Sequence, residues 1–216
     1  MKKMKILIIG STGNVGRRVV EEARNRGHEV SVMVRRLDGE INKTKPIKHM
    51  IGDAANVEDV KRCSQNHDIV ISAIRPKEGN ENELIKLTQH VMKGVCAVGG
   101  RVIIVGGAAR LLIPKENGET VLTMPGFLPT QIVDIAKACQ AQFDMCVTDK
   151  TTNWTYLSPP PMLVPGERTG AYRVGADQLV VDQNGKSAIS LEDFAVALVD
   201  EAEQAKHIRK GFTVAN

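Results

Sequence analysis

Short runs of consecutive apolar residues recur along this chain, and the stretches between them carry apolar positions at three- and four-residue spacing. Lys5–Ile9 is apolar at every position after its lysine, the pattern of a strand buried on both faces. Residues 14–26 then place Val15, Val19, Val20 and Ala23 on one helical face, with Gly27 as the stop. Glu29–Val34 alternates Val30, Val32 and Val34 and predicts a second strand, and 47–51 predicts a short third. Val57–Ser64 fits a helix capped by Asn56 with acids in its first turn. A fourth strand is expected over 68–74, a long amphipathic helix carrying Leu84, Leu87, Val91 and Val95 over 81–98, and a fifth strand over Arg101–Val105.

Strand and helix alternating at this interval predict an α/β fold: a doubly wound parallel sheet, the Rossmann fold. The rhythm then changes. Residues 108–130 contain Pro114, Pro125 and Pro129 with Gly118 and Gly126, which argues for a surface loop. A helix is expected to resume over 131–143, and a sixth strand over 154–157 is stopped by Ser158-Pro159-Pro160-Pro161. The remainder is turn-rich, with a short strand candidate at 178–181 and a last helix capped by Ser190 and running through Ala202. The whole of 1–216 reads as one domain with a small C-terminal elaboration.

Composition narrows the function. The chain is 42% hydrophobic and 25% charged, which is ordinary for a globular protein. No apolar run approaches the ~20 residues of a membrane helix, and the apolar run near the amino terminus is shorter than a secretory signal needs. No membrane association is expected, and the expected location is cytoplasmic. Cys63, Cys96, Cys139 and Cys146 show neither CxxC pairing nor zinc-like spacing with the histidines, so free and mostly buried thiols and no metal are expected. Cys139 and Cys146 are the pair to consider for a redox role. The net charge of +4 is uneven: residues 1–50 hold twelve Lys and Arg against five Asp and Glu, the rest 17 against 20. Positive charge in the first quarter suits a phosphorylated ligand. With one Trp, two Tyr and four Phe available for stacking and no nucleic-acid motif, nucleic acid is not expected.

The first strand runs directly into Gly10-Ser11-Thr12-Gly13-Asn14-Val15-Gly16, and a helix begins inside that motif. Gly10 permits a tight turn, Gly13 lets a pyrophosphate approach the backbone, and Gly16 lets helix and strand pack closely. The helix start then offers free N–H groups and a positive dipole end to the phosphates. NAD-selective sites carry an acid at the end of the second strand; here Arg35 and Arg36 follow Val34. A carboxylate repels a 2′-phosphate and a guanidinium forks onto it, so NADP(H) is favoured over NAD(H).

The glycine motif, the Val34-Arg35 step, Gly52-Asp53 and Asn153-Trp-Thr-Tyr-Leu-Ser-Pro-Pro160 together resemble the atypical short-chain dehydrogenase/reductases. The chain is most similar to the NAD(P)H-binding group around biliverdin-IX-beta reductase (flavin reductase) and the NmrA-like proteins, a resemblance that extends to Pro165-Gly-Glu-Arg-Thr-Gly170 and Gly175-Ala-Asp-Gln178. The resemblance implies that Asp53 and Ala54 lie by the adenine and that Ala73, Ile74 and Arg75 pass the ribose or pyrophosphate. It also implies that Gly106 and Gly107 end the fifth strand near the nicotinamide, and that Ser158, Pro159 and Pro160 approach the nicotinamide or substrate.

One familiar device is missing. Standard short-chain dehydrogenases use Tyr-x-x-x-Lys, but Tyr156 is followed four residues on by Pro160 and Tyr172 by Ala176. Hydride transfer to an easily reduced conjugated ring needs no such acid. The expectation is therefore an NADPH-dependent reductase of a flavin, quinone or similar small-molecule acceptor, with no catalytic side chain assigned. The alternative is an NADP(H)-binding sensor of the NmrA-like type that acts through a partner. A homodimer is left open.

Overall fold

The computed structural model describes residues 2–37 and 47–216. A parallel sheet forms its centre, built from β1 (Lys5–Ile9), β2 (Glu29–Val34), β3 (Lys48–Ile51), β4 (Ile69–Ser72), β5 (Arg101–Val105), β6 (Asn153–Ser158) and β10 (Lys210–Ala215). β8 (Arg173–Gly175) closes one edge antiparallel to β10, giving the order β3-β2-β1-β4-β5-β6-β10-β8. β7 (Met162–Val164) and β9 (Ala188–Ser190) pair separately as a two-stranded parallel ribbon.

The sheet is covered on both faces. Successive residues of a strand point to opposite sides. Ile6 and Ile8 therefore pack with α1 (Asn14–Asn25) and α5 (Leu191–Gln204), whereas Leu7 and Ile9 pack with α2 (Val57–Ser64), α3 (Glu83–Cys96) and α4 (Val133–Thr148). This two-sided burial explains why β1 and β4 read as unbroken apolar runs. No helix among the described residues is long and apolar enough to cross a membrane.

The first five strands and first three helices fall where the hydrophobic pattern predicts them. The later chain differs in three ways. The strand expected at 178–181 does not form: Gln178 makes only an isolated bridge to Leu112, and Leu179 is buried with Leu111 and Val121. That satellite cluster gives the Pro- and Gly-rich 108–130 segment a small core of its own. The helix expected at 131–143 begins with a 3-10 turn, Thr130–Ile132, and α4 continues to Thr148. Finally, β7, β8, β9 and β10 form where no strand was expected, and β10 extends the main sheet with Phe212 and Val214 in the α1–α5 core.

Candidate functional site

The Gly-rich turn joins β1 to α1 at the carboxyl edge of the sheet, between β2 and β4. Two of its glycines answer to the fold. Gly10 has φ +82°, and a Cβ there would lie 2.5 Å from the Ala73 carbonyl oxygen; one on Gly16 would lie 2.1 Å from that of Gly10. Gly13 differs. A Cβ there would meet only the Gly10 oxygen, at 3.4 Å, so the interior does not require glycine and its open side faces outward.

Gly13 is also the N-cap of α1, and it contributes no side-chain hydrogen bond. The first turn of α1 holds no acid either. The other helix starts carry a cap or an acid: Asn56 accepts from the Glu58 and Asp59 amides at α2, Ser190 accepts from the Asp193 amide at α5, and α3 and α4, which lack a capping side chain, have Glu83 and Asp134 in their first turns. The beginning of α1 thus presents unfilled N–H donors and a partial positive charge to whatever lies above it.

An open cleft of about 1190 Å³ lies over this turn. Of the residues expected at a cofactor site, Gly10, Ser11, Thr12, Arg35, Arg36, Asp53, Ala54, Ile74 and Arg75 line it, with Arg17 and Lys77 as further cations. Arg35 follows directly on β2, and Gly52 donates its amide to the Val34 carbonyl at 2.9 Å, which holds Asp53 beside it. The Asp53 carboxylate accepts the Ala55 amide at 2.9 Å, an Asx turn. Among the described residues, Arg17, Arg35, Arg75 and Lys77 have no carboxylate partner. Bare helix start, outward-facing Gly13 and unpaired cations all fit a ligand carrying several phosphates.

Gly13 caps α1, Asn14, Val15 and Gly16 form its opening, and Ala73 backs Gly10; none of the five lines the cleft itself. Gly106, Gly107, Ser158, Pro159 and Pro160 also stand apart from it, at the ends of β5 and β6, one and two strands beyond β4. The glycine pair there has a packing reason. A Cβ on Gly106 would lie 2.0 Å from the Tyr156 ring, and one on Gly107 would lie 2.8 Å from Cys139. Ser158 is fully buried, and its hydroxyl accepts from the Arg110 guanidinium Nε at 3.0 Å. Its side chain therefore faces the protein, leaving the half-buried Pro159 as the part of this trio open to solvent.

Both tyrosines are held by the fold. The fully buried Tyr156 hydroxyl lies 3.0 Å from the Cys139 carbonyl and from Gln142 Oε1, and accepts the Gly107 amide at 3.3 Å. Burial pushes its acidity far out of reach, its pKa lying well above the ordinary value of 10.0. Tyr172 donates to Asp200, and burial followed by that carboxylate raises its pKa too. The four cysteines are free; burial pushes the Cys139 thiol up to about 11 and the Cys146 thiol up to about 12, so neither is an activated thiolate.

Sequence reasoning missed two kinds of residue. Arg17, Lys77 and Asn80 line the cleft from ordinary helical or loop positions, and no motif marks them. Arg110, in the loop after β5, is buried beneath Ser158 and carries no sequence signal at all.

Comparisons with known proteins agree with this geometry. A family model described as NAD(P)H-binding matches residues 10–205. The Bacillus subtilis (strain 168) protein YwnB, itself uncharacterised, is 32% identical over 215 residues, covering 98% of each chain. A Bacteroides thetaiotaomicron structure provisionally named an epimerase superposes with a TM-score of 0.89 at 35% identity, over 99% of this chain and 97% of its own. A Streptococcus pneumoniae TIGR4 structure provisionally named an NADH-flavin reductase gives 0.87 at 29% identity, over 99% of both. The chain belongs to the NAD(P)H-binding family and has the Rossmann fold.

Proposed function

We propose that this member of the NAD(P)H-binding family is an NADPH-dependent reductase of a flavin, quinone or similar conjugated ring. The observation that carries the reading is that both tyrosine hydroxyls are locked into internal hydrogen bonds at or near the strand ends. A carbonyl substrate needs a proton donor poised at its oxygen, whereas a conjugated ring accepts a hydride and takes its proton from water.

The amides opening α1 would hold the pyrophosphate, and the Ser11 and Thr12 side chains border the same path. Arg35, with Arg36 beside it, would bind the 2′-phosphate by forked, charge-assisted hydrogen bonds, the basis of the preference for NADPH. Asp53 and Ala54 would flank the adenine. When bound, the reduced nicotinamide supplies the hydride. The chain's own contribution would be to orient the two rings, with Pro159 presenting an apolar surface beyond β6. Holding reactants in register in this way substitutes for a side-chain acid.

The test is to mix the purified chain with NADPH and, in turn, FMN, simple quinones and tetrapyrroles, following loss of the nicotinamide absorbance band. Turnover above the protein-free rate with at least one acceptor supports the reductase. Tight NADPH binding without turnover of any acceptor overturns it in favour of the sensor.

A further inference from the structure

Arg110 is 8% exposed, yet its cation is completely used. Its Nε donates to the Ser158 hydroxyl at 3.0 Å, one terminal nitrogen pairs with Asp177 at 2.5 Å, and the other donates to the Ala176 carbonyl at 3.0 Å. Its guanidinium also lies 4.5 Å from the centre of the Phe143 ring on α4. One side chain thus ties together the loop after β5, the carboxyl end of β6, the turn after β8 and α4. This also gives Gly175-Ala-Asp-Gln178 a physical role, since that segment supplies two of the three oxygen acceptors.

The position matters because two prolines come directly after Ser158. Pro159 and Pro160 have no N–H, so the chain leaves the sheet without backbone donors to anchor it. Ser158, just before them, is held by its hydroxyl, which accepts from Arg110, and by its carbonyl, which accepts from Thr213 Oγ1 at 2.8 Å. Val105 pairs with Leu157, so continuing that register sets Gly107 beside Pro159. Ligands of open α/β sheets bind outside these strand ends.

We infer that Arg110 is a positioning residue that fixes the Ser158–Pro160 wall against which the acceptor ring lies, while the coenzyme cleft on the far side of β4 stands independently of it. The inference rests on the reductase reading above.

The experiment compares the unaltered chain with Arg110→Met, which keeps an unbranched apolar stem but removes every donor, and with Arg110→Lys, which keeps one donor group. NADPH binding is measured by titration, and KM and kcat are measured with FMN and with 1,4-naphthoquinone. For Arg110→Met, acceptor KM should rise at least about tenfold with NADPH Kd within about twofold, because displacing a wall near 1 Å is enough to spoil ring alignment. Arg110→Lys should recover part of the loss. Should Arg110→Met not fold, Asp177→Asn removes the exposed partner and should raise acceptor KM about threefold, a rim-pair effect, again without changing NADPH Kd. An unchanged acceptor KM in folded variants, or a parallel loss of NADPH affinity, overturns the inference while leaving the reductase standing. If the unaltered chain binds NADPH but reduces neither acceptor, nor any other in the panel, the reductase reading itself falls and takes the acceptor wall with it.

Discussion

Arg17 and Arg18 are neighbours on α1, and their surroundings are opposite. Arg18 turns to the α1–α5 seam and pairs with Glu192 at 2.5 Å; Arg17 turns to the cleft and, among the described residues, pairs with nothing. The contrast holds for both regions. Along the seam, Arg26 meets Glu22, Asp200 and Glu203, and Arg168 meets the buried Glu22. Around the cleft, Arg35, Arg75 and Lys77 stand, among the described residues, without carboxylates. Charge in the seam is consumed by folding. The unpaired Arg17, Arg35, Arg75 and Lys77 make no ion pair inside the molecule among the described residues, so their charge is available to an anion from outside.

Substitutions in the two regions should therefore separate binding from stability. The largest effect is expected for Arg35→Glu: NADPH affinity should fall about a hundredfold while NADH affinity changes little, with the melting temperature unmoved. Equal losses for the two coenzymes, read by calorimetry, would break the assignment of Arg35 to the 2′-phosphate. Glu22→Gln should do the reverse, costing about 2 kcal/mol because Arg26 loses a buried partner, and leaving coenzyme binding intact. At this chain length that is a fall of roughly 4–8 °C in melting temperature.

The same pair sharpens the contrast with pH. The hydrogen bond from Arg168 holds the Glu22 carboxyl below its ordinary value of 4.5, outweighing its burial, with Arg26 adding to the effect. The unfolded chain then binds more protons in acid, so the carboxylate's contribution is complete above about pH 4.5 and is lost as pH falls through the lower folded value. The stability gap between the wild-type chain and Glu22→Gln should accordingly narrow in denaturant titrations below that pH. A gap that stays constant to about pH 3 would count against the ion pairs.

A smaller difference is expected at the adjacent arginines. Arg18→Gln should cost about 1 kcal/mol with little change in binding, and Arg17→Gln should weaken NADPH about fivefold without destabilising the fold. Smallest of all is Ala205→Gly, at the end of α5 and away from the cleft. Ala205 ends α5 in the left-handed conformation at φ 53°, so glycine should add about 0.5–1 kcal/mol, seen as a slightly higher melting temperature.

Legibility varied along the chain for identifiable reasons. Lys5–Ile9, the Gly-rich turn and the first helix were readable because their information is local: an apolar run, a turn needing φ above zero at Gly10, and a three- to four-residue repeat. Ser190 and Asn56 were readable as caps for the same reason. The terminal strand was missed although Phe212 and Val214 alternate with Gly211 and Thr213; six residues with two small polar or glycine positions carry a weak pattern. The 178–181 segment misled in the opposite direction, since Leu179 is apolar to fill a satellite core rather than to line a sheet. Within the candidate site, the glycines and Arg35 were marked by position in a motif, but Arg17 and Lys77 look like any solvated lysine or arginine.

By itself, the order of residues settled the strand–helix alternation, the turn between β1 and α1 and the basic step after β2, because each depends on dihedral preferences or spacing within a few residues. Only the folded chain decided which cations are spent and which are left over. Arg18 finds Glu192 across 174 residues, and Arg110 finds Ser158 across 48 and Asp177 across 67. Such pairings come from how the sheet and its covering helices bring distant segments to one edge, and nothing local to any of those residues encodes them.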